Sequence, residues 1–193
     1  MPVAENRVRY GLKNVYYAPL TADGYATPTA LPGAISLSMS ANTARRVLSV
    51  DESEAGAAEL FVNYTGELTL ARIPDAFRAA CLGELEDDYG MRYETAAPVT
   101  ARFALLFEFD GDAHATRHVF YNCAVSRPGV AGRTVVPDEG PDPSQNTETL
   151  AITAAALPPV GLVRARCSPG DAAYDTWFEG VSLPAFEPEI IVA

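Results

Sequence analysis

The sequence predicts a mainly β fold, either an antiparallel α+β arrangement or a β-sandwich with an appended helix. Two observations lead to this prediction. Several stretches alternate apolar and polar residues with the period of a strand, whereas a single stretch has helical spacing. The 193 residues are enough for a substantial core, and we expect one domain that spans residues 1–193.

The first half of the chain contains three predicted strands. Residues 15–18 form a short apolar strand, and residues 59–71 form a longer one in which Gly66 predicts a bulge or bend. Between them, residues 34–40 alternate strictly, which predicts a strand with one face in water. Three serines line the wet face, and the apolar face carries Ile35, Leu37 and Met39.

Residues 41–58 lose the strand pattern and carry several charges. They are interpreted as a long polar excursion, either a loop or a mobile hairpin, and within the single domain we assign them as a long loop. The charged residues of this stretch include Arg45, Arg46, Asp51, Glu52 and Glu54.

One short helix is predicted at residues 74–82. Pro74 suits the first helical position, Phe77 and Cys81 are spaced i, i+4, and Gly83 can adopt the left-handed conformation that ends a helix.

A long hairpin is predicted for residues 101–130. Its first strand has an aromatic or aliphatic residue at every second position from Phe103 to Phe109, and we expect this face to pack on the core. A turn follows at Asp110–Asp112. The return strand, Ala115–Val125, is predicted to place three residues on one face, namely Val119, Tyr121 and Cys123.

The last third of the chain is predicted to be less regular. Residues 131–146 are rich in glycine and proline and should form an irregular loop. The further predicted elements are a strand at 147–154, a strand at 163–167, a helical turn at 172–178 that carries Trp177, and a C-terminal extension at 187–193 with no assigned role.

The charge balance bears on possible partners. The net charge is −11, from 25 acidic and 14 basic side chains, which disfavours tight binding to nucleic acid because phosphates repel such a surface. The plain alternative is that the charge serves solubility. No apolar run approaches the roughly 20 residues that span a bilayer, and residues 1–15 lack a signal-peptide core. We therefore expect no membrane partner and residence in a cytoplasm.

Catalytic motifs are absent from the sequence: it contains no GxGxxG, P-loop, HExxH or GxSxG. His118 and Cys123 could be a base and a nucleophile, but residues five apart on a strand point to opposite faces. Paired acids of a glycosidase could come from Glu108, Asp110 and Asp112, but aspartate in a turn usually caps backbone amides. We expect no catalytic residue and no enzyme activity.

Metal and cofactor sites are not expected either. His114 and His118 lie about 13 Å apart on an extended strand, too far to share a zinc ion. The acidic turn at residues 84–88 lacks the ligand spacing of an EF-hand calcium loop. The three cysteines form no CxxC pair and are interpreted as free, buried thiols: Cys81, Cys123 and Cys167.

Long hairpins and exposed edge strands invite pairing with other chains, and copies that close into a ring remove such edges. Five stretches of this chain follow one another in a recognisable order: GLKNVYYAPLT with ATPTALPGAISLSM, GELTLARIPDAFRAACLGELEDDYG, FALLFEFDGDAHATRHVFYNCAVSRPGV, TETLAITA and YDTWF. In their order and spacing the chain resembles the major tail proteins of bacteriophages with long, flexible tails (siphoviruses), the phi13-type tail tube proteins.

The resemblance implies a structural virion protein, a β-sandwich or barrel of the tail-tube type with one flanking helix. Copies would form hexameric rings that stack into a hollow tube for DNA ejection. The implied partners are other copies of the chain, the tape measure protein and tail-end proteins. DNA would pass without specific binding, no cofactor is implied, and the location is the virion tail after assembly in the bacterial host cytoplasm.

The resemblance also implies that a long loop early in the chain contacts the adjacent ring. Residues 41–58 match that placement, so the candidates for contacts between rings are Arg45, Arg46, Asp51, Glu52 and Glu54.

A lumen lined by carboxylates would repel DNA phosphates over about 8 to 10 Å at physiological salt. The lumen-lining candidates, which lie on or beside predicted strands, are Glu59, Glu67 and Glu108; the alternative for each is an outer, solvated face.

The alternative function of a different class is a monomeric β-sandwich binding module for a carbohydrate or a protein ligand. Such a module should expose an aromatic platform, whereas most aromatic residues here occupy strand positions expected to face the core.

Overall fold

The computed structural model describes residues 11–50, 53–112, 114–132 and 146–184 of the chain. Within these ranges the side chains of residues 45–50 and 53–59 lie outside the description.

The described chain is built mainly from strands, with one helical segment between the fifth and the sixth. The strands are β1 (Leu12–Thr21), β2 (Gly24–Tyr25), β3 (Thr29–Ala30), β4 (Ala34–Val50), β5 (Ser53–Leu70), β6 (Leu85–Glu86), β7 (Arg92–Tyr93), β8 (Phe103–Phe109), β9 (Arg117–Val125), β10 (Glu148–Ala155) and β11 (Arg164–Cys167). The helical segment is α1 (Asp75–Phe77), which continues as one π-helical turn, Arg78–Leu82.

Nine strands share one antiparallel sheet in the order β2-β1-β8-β9-β10-β5-β4. Two short strands join at its sides, β3 on β1 and β11 on β9, while β6 and β7 pair separately. In the part of the chain that the structure describes, the sheet folds into two facing layers and does not close into a barrel. The predicted fold class, an antiparallel sandwich-like β fold with one short helix, is confirmed.

A bulge in β9 separates the two layers. Phe103 pairs with Cys123 and Leu105 pairs with Phe120, so β9 holds one residue more than β8 over this interval. The extra residue reverses the alternation, because side chains on either side of it no longer follow one parity. Residues 117–120 of β9 pair with β11, and residues 122–125 pair with β10.

The prediction that Val119, Tyr121 and Cys123 share a face is therefore wrong. Cys123 lies in a first hydrophobic cluster together with Phe120, whereas Val119 and Tyr121 lie in a second one on the other side of the sheet. For the same reason His118, which stacks on Phe107 of the first cluster at 5.3 Å, shares a face with Cys123.

The first cluster fills the space between the layers under α1. Phe77 of α1 makes edge-to-face contacts with Tyr17 and Phe103, at ring centroid distances of 4.9 and 5.4 Å. The predicted packing of the Phe103–Phe109 face on the core is confirmed, since Phe103, Leu105 and Phe107 are buried and Phe109 is partly buried there. Both faces of β8 are covered, and the second cluster takes the opposite side.

The helical segment matches its prediction. Pro74 precedes α1, and Gly83 ends the π-helical turn with φ of 72° in the left-handed region. Arg78 fixes the turn to β10, because its guanidinium bonds Glu84 at 3.0 Å and also Glu148. The Glu148 carboxylate in turn accepts a bond from the Ile73 amide at 2.6 Å.

Two expectations for β4 and β5 need correction. Residues 41–50 and 53–58 are paired strand, so the loop assignment for 41–58 is wrong and the hairpin alternative holds for the described part. A register shift between Ala34 and Ser36 leaves Ile35 54% exposed, while Leu37 and Met39 pack on the first cluster as predicted.

Other predicted segments are only partly described. Of the loop at 131–146, residues 133–145 lie outside the described residues, as does the extension at 187–193. Residues 172–178 form successive turns that bury Trp177 to 4% exposure. None of the helices in the described ranges is long and apolar enough to cross a membrane.

Gly66 offers a test of the β4–β5 packing. A methyl group at Gly66 would lie 1.8 Å from the Ser38 carbonyl oxygen and 2.8 Å from the Met39 Cα, so the strands must move apart. We expect Gly66→Ala to cost about 3 kcal/mol in the free energy of unfolding, the upper end for overpacking. Urea unfolding followed by circular dichroism measures the cost.

Gly180→Ala is the matched control, because nothing lies within 4 Å of a methyl group at Gly180. If both variants unfold at the wild-type urea concentration, the close approach of β4 to Gly66 is not as described.

Candidate functional site

The β4–β5 hairpin extends far beyond the sheet that supports it. Pairing between β5 and β10 stops at Tyr64, towards the amino-terminal end of β5. The pairing between β4 and β5 continues beyond this point, as far as Val50 and Ser53. We call the extending part, residues 42–50 and 53–63, the arm. Nine residues of β4 at about 3.3 Å each give it a length of about 30 Å.

The arm contains several of the residues predicted to contact an adjacent ring. Arg45, Arg46 and Glu54 occupy paired positions in its strands. Asp51 and Glu52 lie outside the described residues. The lumen candidate Glu59 also lies in the arm, where its backbone pairs with that of Arg45.

The base of the arm exposes consecutive apolar side chains. Leu60, Phe61 and Val62 are 50%, 41% and 51% exposed, and a register shift next to Asn42 places Val62 as the extra residue. Phe61 contacts Tyr64 at 5.3 Å between ring centroids, which links the arm to the first cluster. An uncovered apolar stripe on a projecting hairpin is typical of a surface that another chain covers.

The outer edge of β4 is open. In the described ranges β4 pairs with β5 only, so one row of its backbone donors and acceptors has no strand partner. At the other end of the sheet β2 and β3 cover parts of β1. An open edge of this length is a template for adding a strand.

The outward face of β4, β5 and β10 is covered by small polar side chains, and we call it the hydroxyl face. Asn42 donates to Asn63 at 2.8 Å and to Thr65 at 2.9 Å, and Thr69 and Thr149 share a bond of 3.3 Å. Its single charged residue is Glu67, which is exposed and pairs with Ser38 and Ala151. The members are Ser36, Ser38, Ser40, Asn42, Asn63, Thr65, Glu67, Thr69, Thr149, Ala151 and Thr153.

The third lumen candidate, Glu108, is buried to 6% exposure. Its carboxylate lies 3.5 Å from the Arg117 guanidinium and accepts a bond from Asn14, and Lys13 is 4.0 Å away. Arg117 also sits over the Tyr174 ring at 3.9 Å. A wall that repels DNA needs exposed carboxylates, so the expectation for Glu108 is wrong; this residue anchors β8 to β9 and β1.

Asp112, one of the possible paired acids considered from the sequence, has a structural role. Asp112 caps a turn, since its carboxylate accepts the amides of His114 at 3.1 Å and Thr116 at 3.2 Å. No group of three or more metal-ligating side chains occurs within the described ranges.

The cysteines are free and buried, as predicted. Burial raises the pKa of the Cys81 thiol to about 12 and raises that of Cys123 as well. A thiol with a raised pKa is protonated at neutral pH and is a poor nucleophile. Although His118 and Cys123 share a face, the pair lacks an activated thiolate.

Comparisons with known proteins leave the family open. No protein-family model and no curated protein matches the sequence. Among solved structures, the chain is similar to a chain of the anti-feeding prophage cap, described as the AFP tube terminating cap, with a TM-score of 0.37 and 7% identity. The alignment covers 87% of this chain and 99% of that chain. Similarity at this level assigns neither family nor function, and the resemblance to the phi13-type tail tube proteins stays a prediction.

One exposed cluster that was not predicted from the sequence lies at residues 85–93. Tyr89 and Met91 are 92% and 59% exposed, and Tyr93 is 42% exposed. Asp87 organises them, because its carboxylate accepts the Tyr93 hydroxyl at 2.6 Å and the amides of Tyr89 and Met91 at 2.9 Å. The available signal for a short hairpin was the turn-forming set of Asp87, Asp88 and Gly90.

The Asp87–Tyr93 bond can be tested by titration. The Tyr93 hydroxyl and then the Met91 amide lower the pKa of Asp87, and the same bond raises the pKa of Tyr93. Because the pKa of Asp87 is lowered, the ionised carboxylate stabilises this hairpin at pH values above 3.8, the ordinary pKa of the group. This stabilisation is lost as the pH falls through the lowered pKa. We expect Asp87→Asn to lower the Tyr93 pKa, measured by NMR titration of the assigned tyrosine ring.

Asp88→Asn is the control, since Asp88 is the neighbouring carboxylate and is exposed. An unchanged Tyr93 titration in the Asp87→Asn variant would show that the bond does not persist in solution.

Proposed function

We propose that this chain is a structural protein of a phage tail, whose copies form hexameric rings that stack into the tail tube. It acts without enzymatic activity and without a cofactor, in the virion. The observation that carries the proposal is the arm, with its uncovered apolar base. A two-stranded hairpin on its own is marginally stable in water, so an arm of this length needs a partner surface.

Two further features support the proposal. The open edge of β4 suits pairing with a neighbouring copy around a ring, which removes an aggregation-prone edge. The hydroxyl face suits the wall of a lumen, because it offers no basic side chain to DNA phosphates and carries Glu67. Passage without binding is the function that such a wall supports.

The second candidate, a monomeric binding module, is favoured by the exposed Tyr89 and Tyr93 beside Asp87. Such an arrangement is suited to stacking on a sugar ring or on a peptide side chain. The two candidates differ in oligomeric state, which decides between them.

The arm's contribution to assembly is measured with a pair of matched variants. Val62→Ser removes a 51% exposed valine at the arm base, and Val130→Ser removes a fully exposed valine elsewhere. Because Val62 is already half buried in the subunit, covering the rest of it contributes about 1 kcal/mol, so we expect Val62→Ser to weaken subunit association about fivefold. Sedimentation velocity and negative-stain microscopy over a concentration series give the shift.

Wild type should form rings or tubes, and Val130→Ser should match it. A wild-type protein that stays monomeric at high concentration, or equal assembly by both variants, contradicts the proposal.

The lumen assignment is tested by charge reversal. Glu67→Lys places a cation on the hydroxyl face, and Glu179→Lys makes the same change at an exposed position in the C-terminal segment. We expect Glu67→Lys tubes to assemble normally but to retain double-stranded DNA, more strongly at low salt. Co-sedimentation of labelled DNA with tubes is the measurement.

Tubes of wild type and of Glu179→Lys should leave the DNA in solution. DNA retention that is the same for the two lysine variants would place the hydroxyl face outside the lumen.

A further inference from the structure

An open groove of about 390 Å³ lies where the two layers diverge. Its floor is aromatic, and one wall is the edge strand β4. The lining residues are Leu37, Ser38, Met39, Phe107, Phe109, His118, Phe120 and Arg164. The groove therefore combines an apolar floor with a strand that has backbone groups left to pair.

The groove has the requirements of a strand-addition site. A segment that pairs with β4 gains main-chain hydrogen bonds along the edge and turns every second side chain towards the other layer. Those side chains meet Phe109 and Phe120 in the groove. Branched aliphatic side chains suit this position, because they have high strand propensity and no polar atom to desolvate.

Charge at the rim narrows the choice of occupant. Arg164 and Arg166 are exposed on β11, and neither forms an ion pair with any residue that the structure describes. Arg164 lines the groove, with its guanidinium carbon 5.9 Å from the Phe120 ring centre. An occupant with carboxylates beside its apolar residues would complement this rim.

The chain itself contains one such segment beyond Pro184. Residues 187–193 read Glu-Pro-Glu-Ile-Ile-Val-Ala, which places two carboxylates directly before a run of three β-branched residues. Nine residues, 185–193, reach about 30 Å when extended. The length suffices to enter a neighbouring subunit.

The point of departure favours exchange between copies. Tyr121 holds the segment that leads to residue 184, since its hydroxyl donates to the Ser182 carbonyl at 2.9 Å. Tyr121 and Val181 belong to the second cluster, whereas the groove floor belongs to the first, on the other side of the sheet. The chain therefore leaves on the face opposite its own groove.

We propose that residues 187–193 of one copy bind as an added strand along β4 in the groove of a second copy. Ile191 fills the aromatic floor, and Glu187 and Glu189, which share its face of the added strand, pair with Arg164 at the rim. This contact does not require an assembled tube, because it needs only the donor segment of one copy and the acceptor groove of another.

A peptide of residues 185–193 tests the acceptor directly, with a chain that lacks residues 187–193 as the receptor. Fluorescence anisotropy should show saturable binding. Arg164→Glu in the receptor should weaken it at least about tenfold, and a peptide with Glu187→Lys and Glu189→Lys should restore it. Arg166→Glu is the control, because Arg166 does not line the groove. No saturable binding, or equal binding of a scrambled peptide, overturns the proposal.

Mixing two variants tests exchange between copies. The truncated chain has a groove without a donor, and full-length Arg164→Glu has a donor with a blocked groove. Sedimentation velocity should show a complex in the mixture that is absent from either variant alone. Occupation by a chain's own segment is the other outcome: truncation then opens the groove to peptide, the mixture forms no additional complex, and exchange is refuted.

Discussion

The arrangement of the two layers depends on one extra residue in β9. A strand has two sides for hydrogen bonding, and β8 occupies one of them along most of β9. The bulge bends the strand, so that its other side pairs first with β11 and then with β10. The layer of β10, β5 and β4 can thereby turn over the first cluster, while Tyr121 remains in the second. The groove lies in the angle that this bend creates.

Ionic and aromatic contacts fix the C-terminal turns over the second cluster. The C-terminal turns cover it with Trp177, and Arg117 connects three elements by pairing with Glu108, by lying over the Tyr174 ring and by donating to the Tyr174 carbonyl oxygen. Partly buried ion pairs require that each charge keeps its partners, since one charge left alone is costly. This requirement explains why an acidic residue occurs on a strand whose neighbours are apolar.

The sequence predicted the elements better than their faces. Alternation located β4, β8 and β10 because buried and exposed faces differ in polarity, and Pro74 with Gly83 delimited the helical segment. The predicted faces of Ile35 and Cys123 were wrong because a bulge shifts the alternation of side chains by one residue and cannot be recognised from the composition of the strand. Glu108 was misplaced because its partners, Asn14 and Arg117, are distant in sequence or on another strand. The arm was predicted to be a loop because its strands do not pack on a core, and such strands need no alternation of apolar and polar residues.

The pairing of β1 with β8 imposes an order of events on synthesis. Asn14 on β1 bonds Glu108 on β8 across 94 residues of sequence. At about 5–20 residues per second, β1 leaves the ribosome some 5 to 20 seconds before its partner strand exists. During that interval β1 can pair with the short strands β2 and β3, but Val15 and Tyr17 lack the core residues that β8 and β9 contribute, whereas β4 and β5, adjacent in the chain, can already form their hairpin. The apolar face of β1 therefore stays incompletely covered until β8 has been synthesised, and the rate of translation through residues 15–108 sets how long that exposure lasts.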